Sequence, residues 1–285
     1  MPFLRSEVCY NARVKYYPNS NKPCEIIVAD ESIFNPHGVE LAVDKNTLVG
    51  IDALSDDVAD ETTTSSDSSY RSFSRARRRA YDLIRCNPSL NGFITLTFDQ
   101  KEIDRTSYEA IIKALSVWLD NRVRRHGLEY ILCPEYHKDG EGIHFHGLMN
   151  IEALKLVDSG HKRNGKKVYN ISDFPFGFTT VLRVTGENSV EKCAGYIFKY
   201  MSKQCMQKIG GRYYLSGGDL DTPHYEFFNV DATIFDQIAA SPLRGGGGGV
   251  RVAYGKDIEF LTLSGKLIEA GICEANLSTQ TPSKS

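Results

Sequence analysis

Tyr130-Ile131-Leu132-Cys133-Pro134-Glu135-Tyr136-His137-Lys138-Asp139-Gly140-Glu141-Gly142-Ile143-His144-Phe145-His146-Gly147-Leu148-Met149 is the stretch on which the reading of this chain turns. Two β-rich pieces, Tyr130 to Glu135 and Ile143 to Met149, flank the turn formers Lys138 to Gly142, and this spacing predicts a β-hairpin. On a strand, residues two apart project to the same face, so His144 and His146 aim two imidazoles at one point while Phe145 turns into the opposite layer. The partner strand brings Glu135 alongside. The resulting set of two nitrogens and one carboxylate oxygen leaves room for water or a phosphate and suits Mg²⁺ or Mn²⁺ in a catalytic role. His137 and Glu141 lie nearer the turn and read as surface residues, ranked behind Glu135 as the third ligand. A His-x-His pair alone also occurs without any metal, so its surroundings carry the argument.

Upstream, Thr106 and Glu109 have capping-box spacing, and Tyr108, Ile111, Ile112, Leu115, Trp118 and Leu119 recur at helical intervals up to the stop at Arg122 to Gly127. That aromatic stripe belongs to the core. Phe93-Ile94-Thr95-Leu96-Thr97-Phe98 alternates threonine with apolar residues, which predicts a strand with its threonines on one side. Arg71, Arg75, Arg77, Arg78, Arg79 and Arg85 crowd a predicted helix that ends before Asn87-Pro88. The block either neutralises phosphates or is a solvated helix face. Acidic, Ser/Thr-rich residues 55–70 read as a linker. Residues 1–54, with strand-like pieces such as Glu25 to Ala29 broken by prolines, form a segment of unknown role.

Downstream, the basic loop around Lys162, Arg163, Lys166 and Lys167 precedes a strand at Thr179 to Val184. With Arg75, Arg77, Arg78 and Arg79, these cations are the candidate DNA-contacting residues. Asn188 and Glu191 then cap a helix over 189–203. At about 100° per residue from Val190, Ala194, Ile197 and Met201 fall within roughly 40° and make one apolar stripe. Tyr196 and Tyr200 lie some 80–120° off it and Lys199 and Lys203 nearly opposite, a polar-tipped side that packing does not require. The tyrosines are then either rim residues or phenols offered to a reaction. A phenol with an ordinary pKa near 10 is a poor nucleophile until nearby cations favour the phenolate. The main folded domain is expected over 71–244, followed over 245–285 by a Gly-rich linker and a C-terminal tail whose final Ser/Thr/Pro-rich residues should be disordered.

Composition narrows the class. The 285 residues are 41% hydrophobic and 25% charged, near globular averages. Seven cysteines, none in a Cys-x-x-Cys pair, suit reduced thiols better than a disulfide framework or a zinc ribbon. No apolar run approaches the roughly 18 residues of a membrane span, and no secretory signal opens the chain, so a cytoplasmic protein of a bacterial host cell without membrane contact is expected. The net charge of −2, from 34 basic and 36 acidic residues, is uninformative because the signs are segregated along the chain.

Three segments in order, Phe93 to Phe98 with Leu96-Thr97, His144-Phe145-His146, and the helix carrying Tyr196-x-x-Lys199 followed directly by Tyr200-x-x-Lys203, resemble the HUH endonuclease family over roughly residues 75–205. Within it, the closest likeness is to two-tyrosine rolling-circle replication initiators of phages and plasmids. The resemblance implies an α+β fold, a ferredoxin-like or RRM-like antiparallel sheet with helices packed on it. It also implies Mg²⁺ or Mn²⁺ on His144, His146 and Glu135, catalysis by Tyr200 and Tyr196 with Lys199 and Lys203, and nicking of single-stranded DNA at an origin. The product would be a 5′-phosphotyrosine and a free 3′-hydroxyl. No Gly-x-x-x-x-Gly-Lys-Ser/Thr loop is present, so a host helicase and polymerase are the implied partners. Tyrosines downstream of the histidines fit initiators and single-strand transposases rather than conjugative relaxases. A non-catalytic origin-binding or copy-control protein with a structural metal, and a hydrolase of small substrates, stand as alternatives.

Overall fold

A computed structural model of the chain describes residues 9–18, 20, 22–32, 34, 66–137, 140, 142–186, 189–203, 208–235 and 250–272. The strands, in chain order, are β1 (Ala12–Tyr16), β2 (Pro23–Ala29), β3 (Gly92–Phe98), β4 (Tyr130–Tyr136), β5 (Ile143–Met149), β6 (Leu156–Arg163), β7 (Lys166–Ile171), β8 (Gly177–Arg183), β9 (Leu215–Gly217), β10 (His224–Phe228) and β11 (Val250–Tyr254). The helices are α1 (Ser66–Cys86), α2 (Tyr108–His126), α3 (Ser189–Lys203), α4 (Gly255–Leu263) and the single turn α5 (Lys266–Glu269). The chain divides into two compact units, 62–222 and a second made of 1–61 with 223–285.

In the unit 62–222 a seven-stranded antiparallel sheet runs β6-β7-β8-β3-β5-β4-β9. This is the α+β class expected. The alternation along β3 does what its pattern dictates. Ile94, Leu96 and Phe98 are buried on one face with Phe145 and the α2 residues Ile111, Leu115, Trp118 and Leu119, whereas Thr95 and Thr97 are only half-buried. Helix α2 starts one residue later than the capping box suggested. Ser107 Oγ accepts from the Ala110 N–H at 3.2 Å, and Thr106 instead donates its hydroxyl to Asp104. Gly127, at φ 64°, closes the helix in the left-handed conformation that glycine adopts without penalty.

The opposite face of the sheet receives α1 and α3, whose Ile84, Ala194, Ile197 and Met201 pack with Ile131 and Leu148. Helix α3 touches both α1 and the strands β4 and β5. Its buried arc is therefore wider than the Val190 stripe: Cys193 and Tyr200 are buried too, with Tyr200 only 8% exposed. The expectation that both tyrosines stand on a side free of packing is corrected there. No helix among the described residues is long and apolar enough to cross a membrane.

The second unit is a four-stranded antiparallel sheet, β10-β1-β2-β11. Helices α4 and α5 place Ile258, Leu261 and Leu267 on Val14, Ile26 and Val28. Both sequence-based boundaries of the central domain differ from this division. Residues 224–228 pair with β1, and 250–254, assigned to a tail, pair with β2 because Val250-Arg251-Val252-Ala253-Tyr254 has the β-branched alternation of a strand. The acidic segment 55–65, the Gly245 to Gly249 run and residues 273–285 lie outside the described residues; 66–70 already belong to α1.

Candidate functional site

Strand β5 lies between β3 and β4, and register sets the site. Thr97, His144 and Glu135 form one cross-strand row, and Thr95, His146 and Cys133 the next. Successive β5 side chains alternate faces, so both imidazoles share the α3 side while Phe145 fills the α2 side. His144 Nε2 lies 3.2 Å and His146 Nε2 3.0 Å from Glu135 Oε2, and the two Nε2 atoms are 2.9 Å apart. Their side chains are 11–16% exposed, which shields the cluster without sealing it. A proton satisfies only one of these contacts at a time, whereas a cation satisfies three converging lone-pair donors at once. Glu135, His144 and His146 can hold a metal ion.

Outer partners orient both rings. His146 Nδ1 is 3.0 Å from Thr95 Oγ1, and His144 Nδ1 is 3.2 Å from His137 Nε2. With the Nδ1 hydrogens donated outward, each Nε2 lone pair points into the cluster, the arrangement that raises ligand basicity and fixes the tautomer. His137 was read from the sequence as a surface residue; it is half-buried and buttresses His144. Its i, i+7 spacing to His144 carries no signal until the hairpin closes. Glu141 lies outside the described residues.

Helix α3 delivers the phenols to the same place. The Tyr200 ring stacks on the His146 imidazole, centroids 3.7 Å apart and planes 14° from parallel. The Tyr196 ring stacks on Phe93 at 4.2 Å, and its hydroxyl donates to the Ile94 carbonyl at 3.3 Å and lies 3.4 Å from His146 Nδ1. Burial pushes the Tyr196 phenol well above its ordinary pKa; nearby Tyr200 adds to this, and the Arg163 charge opposes it. The two tyrosine rings are 4.8 Å apart. Lys199 is exposed, with Nζ 5.8 Å from the Tyr200 ring centre. The side chain of Lys203 lies outside the described residues.

The other cations divide. Arg75 and Arg79 are exposed on α1 and Arg78 is half-buried, while the Arg77 guanidinium sits 4.6 Å over the Phe198 ring and is engaged in packing α1 on α3. Lys162, Arg163, Lys166 and Lys167 are all exposed on the β6–β7 hairpin at the sheet edge, where Lys167 pairs with Asp158 at 2.9 Å. The metal donors, the phenols and the flanking threonines all fall between residues 91 and 205.

That segment matches the family Replication-associated protein ORF2/G2P. The match covers about two-fifths of the chain and supports a role in replication initiation, hence work on DNA. No curated protein and no solved structure matches the chain.

Proposed function

We propose that this protein is a replication initiator of the HUH, two-tyrosine type, which cuts and rejoins single-stranded DNA at an origin. The observation that carries the reading is the Tyr200 ring lying face to face on His146, whose Nε2 converges with His144 and Glu135. A nucleophile and an anion-stabilising centre within one side chain of each other is what phosphodiester transfer requires.

In the proposed step the Tyr200 oxygen attacks the scissile phosphorus, its proton leaving to water. The phosphorus–O3′ bond breaks, giving a 5′-phosphotyrosine and a 3′-oxyanion that takes a proton from water and becomes the primer end. The ester retains the bond energy, so the strand can be rejoined. Tyr196, one turn away at roughly 6 Å of rise, serves as the second phenol. The stack of Tyr200 on His146 favours it for the first cut. Lys199, with Nζ 5.8 Å from the Tyr200 ring centre, would neutralise a phosphate oxygen.

Mg²⁺ or Mn²⁺ on Glu135, His144 and His146 would supply Lewis-acid stabilisation of charge developing on the phosphate. Adjacent ligands of an octahedral ion with bonds near 2.1 Å lie about 3.0 Å apart. The donor separations of 2.9, 3.0 and 3.2 Å fit that spacing. The partners are origin single strands, with a host helicase and polymerase extending the 3′-hydroxyl, and the setting is the cytoplasm of a bacterial host.

The test is incubation with single-stranded circular DNA of its own replicon and Mn²⁺, followed by denaturing electrophoresis. Wild type yields a protein–DNA adduct, Tyr200→Phe lowers its amount steeply, and Tyr196→Phe with Tyr200→Phe together removes it. An adduct that survives in the double variant overturns the assignment of the phenols.

A further inference from the structure

Beside the metal cluster, on the same sheet face, the row His144–Thr97 continues onto β8 at Phe178, which pairs with Thr97 across the β3–β8 ladder. Phe178 is 69% exposed, the most exposed aromatic ring among the described residues. An aromatic ring in the middle of a sheet normally goes under a helix; this one is left open to water. It forms one wall of a cavity of about 550 Å³ whose other walls include Thr97, Asp99, Gln100, Arg105 and Thr106. That volume lies within the range of ligand sites, and the lining combines one apolar face with a few fixed polar groups.

The backbone is built to hold this arrangement. Gly177, at φ 146°, passes so close to the Thr97 carbonyl and the Asp99 amide that no side chain fits, and it sets Phe178 immediately beyond. Gln100 Oε1 accepts from the Arg105 N–H at 3.2 Å, and Asp99 Oδ1 from the Lys101 N–H at 2.9 Å, which fixes both side chains at the rim. The Arg105 carbonyl accepts from the Ile143 N–H at 2.9 Å, tying the cavity to the residue before His144. The Arg105 side chain lies beside Gly142, as does the His137 ring.

We propose that this cavity takes one nucleobase of the substrate strand, close to the phosphate handled at Glu135, His144 and His146, with Phe178 as its stacking platform. Strand spacing puts Phe178 about 10 Å from His144, two ladder steps along the sheet. Base–aromatic stacking tolerates any base. Asp99, whose Oδ1 takes the Lys101 N–H, adds a carboxylate acceptor that favours a base with an exocyclic amine over thymine. Arg105, between cavity and cluster, is placed for the intervening phosphate. The proposal rests on the reading of the site as one that acts on single-stranded DNA, and it adds a subsite and a base preference to it.

The experiment uses the full chain and fluorescein-labelled oligo(dA), oligo(dC) and oligo(dT) 20-mers, with binding followed by anisotropy. Phe178→Ala is expected to weaken oligo(dA) and oligo(dC) about tenfold or more, the range of one lost stack, and Phe178→Trp to restore them. Asp99→Ala should shrink the gap between oligo(dC) and oligo(dT). Because Phe178 is exposed, its variants should melt with wild type, and quenching of a single 2-aminopurine in the strand gives a second readout of stacking. Equal affinities for wild type and Phe178→Ala, with no quenching, overturn the subsite. Failure of the nicking reading would look different: oligonucleotides would still bind through Phe178, but wild type would give no covalent adduct on its replicon circle.

Discussion

Each metal-facing imidazole depends on a partner that is not itself a metal donor. His137→Ala removes the hydrogen-bonding partner of His144 Nδ1, and Thr95→Val that of His146 Nδ1 at 3.0 Å. Either change should lower Mn²⁺ affinity by about 10–100-fold, measurable by calorimetry without any DNA, while far-ultraviolet circular dichroism stays unchanged. Cys133 faces the same layer as His146 but has no such role, since burial pushes its thiol up to about 12, and Cys193 is pushed up to about 11. At pH 8 the thiolate fraction is then negligible, so iodoacetamide should label both only after denaturation. A thiol whose pKa is higher folded than unfolded holds its proton longest in the folded chain. The stability it contributes is full below about pH 8.5, the unfolded value, and falls as pH rises toward the folded one. Thermal midpoints should therefore drop between pH 9 and 11, and less steeply in Cys133→Ala. The His-x-His pair and the two Tyr-x-x-Lys repeats were legible as chemistry from sequence. The support from His137 was not, because it exists only when the hairpin folds back.

At the scale of elements, β5 carries the site and Gly147 is its point of closest approach to β4. A Cβ there would collide with the Ile131 carbonyl and with Leu132. Gly147→Ala should cost about 1–3 kcal/mol through overpacking, read as a lower urea midpoint. Because His146 is adjacent, the shift should also disturb metal binding. Helix α3 is held by Ile197, fully buried between sheet and α1. Ile197→Ala should cost roughly 2–5 kcal/mol and loosen the hold on Tyr200, lowering adduct yield more than oligonucleotide affinity. Helical arithmetic placed the apolar stripe of α3 correctly but not its width. One helix can face two neighbours, and periodicity shows where a buried arc is centred rather than how many elements flank it.

Across the whole chain, the acidic and basic residues nearly cancel, yet Lys162, Arg163, Lys166 and Lys167 are gathered on one exposed hairpin. Replacing Lys162, Arg163 and Lys166 with alanine should flatten the plot of log affinity against log salt by about 2 for single-stranded DNA, without changing the melting temperature. A slope equal to that of wild type would take the hairpin out of the DNA path. Sequence alone determined the strands β3, β4, β5 and β8, the helices α2 and α3 and the three residues able to hold a metal, since alternation and helical period are local properties of the chain. Only tertiary structure decided that β10 and β11 join the N-terminal strands, that Tyr200 is buried on His146, and that Phe178 is left open beside Thr97. Those outcomes depend on strand order and on which face each helix covers, and such long-range pairings leave no local period in the chain to read.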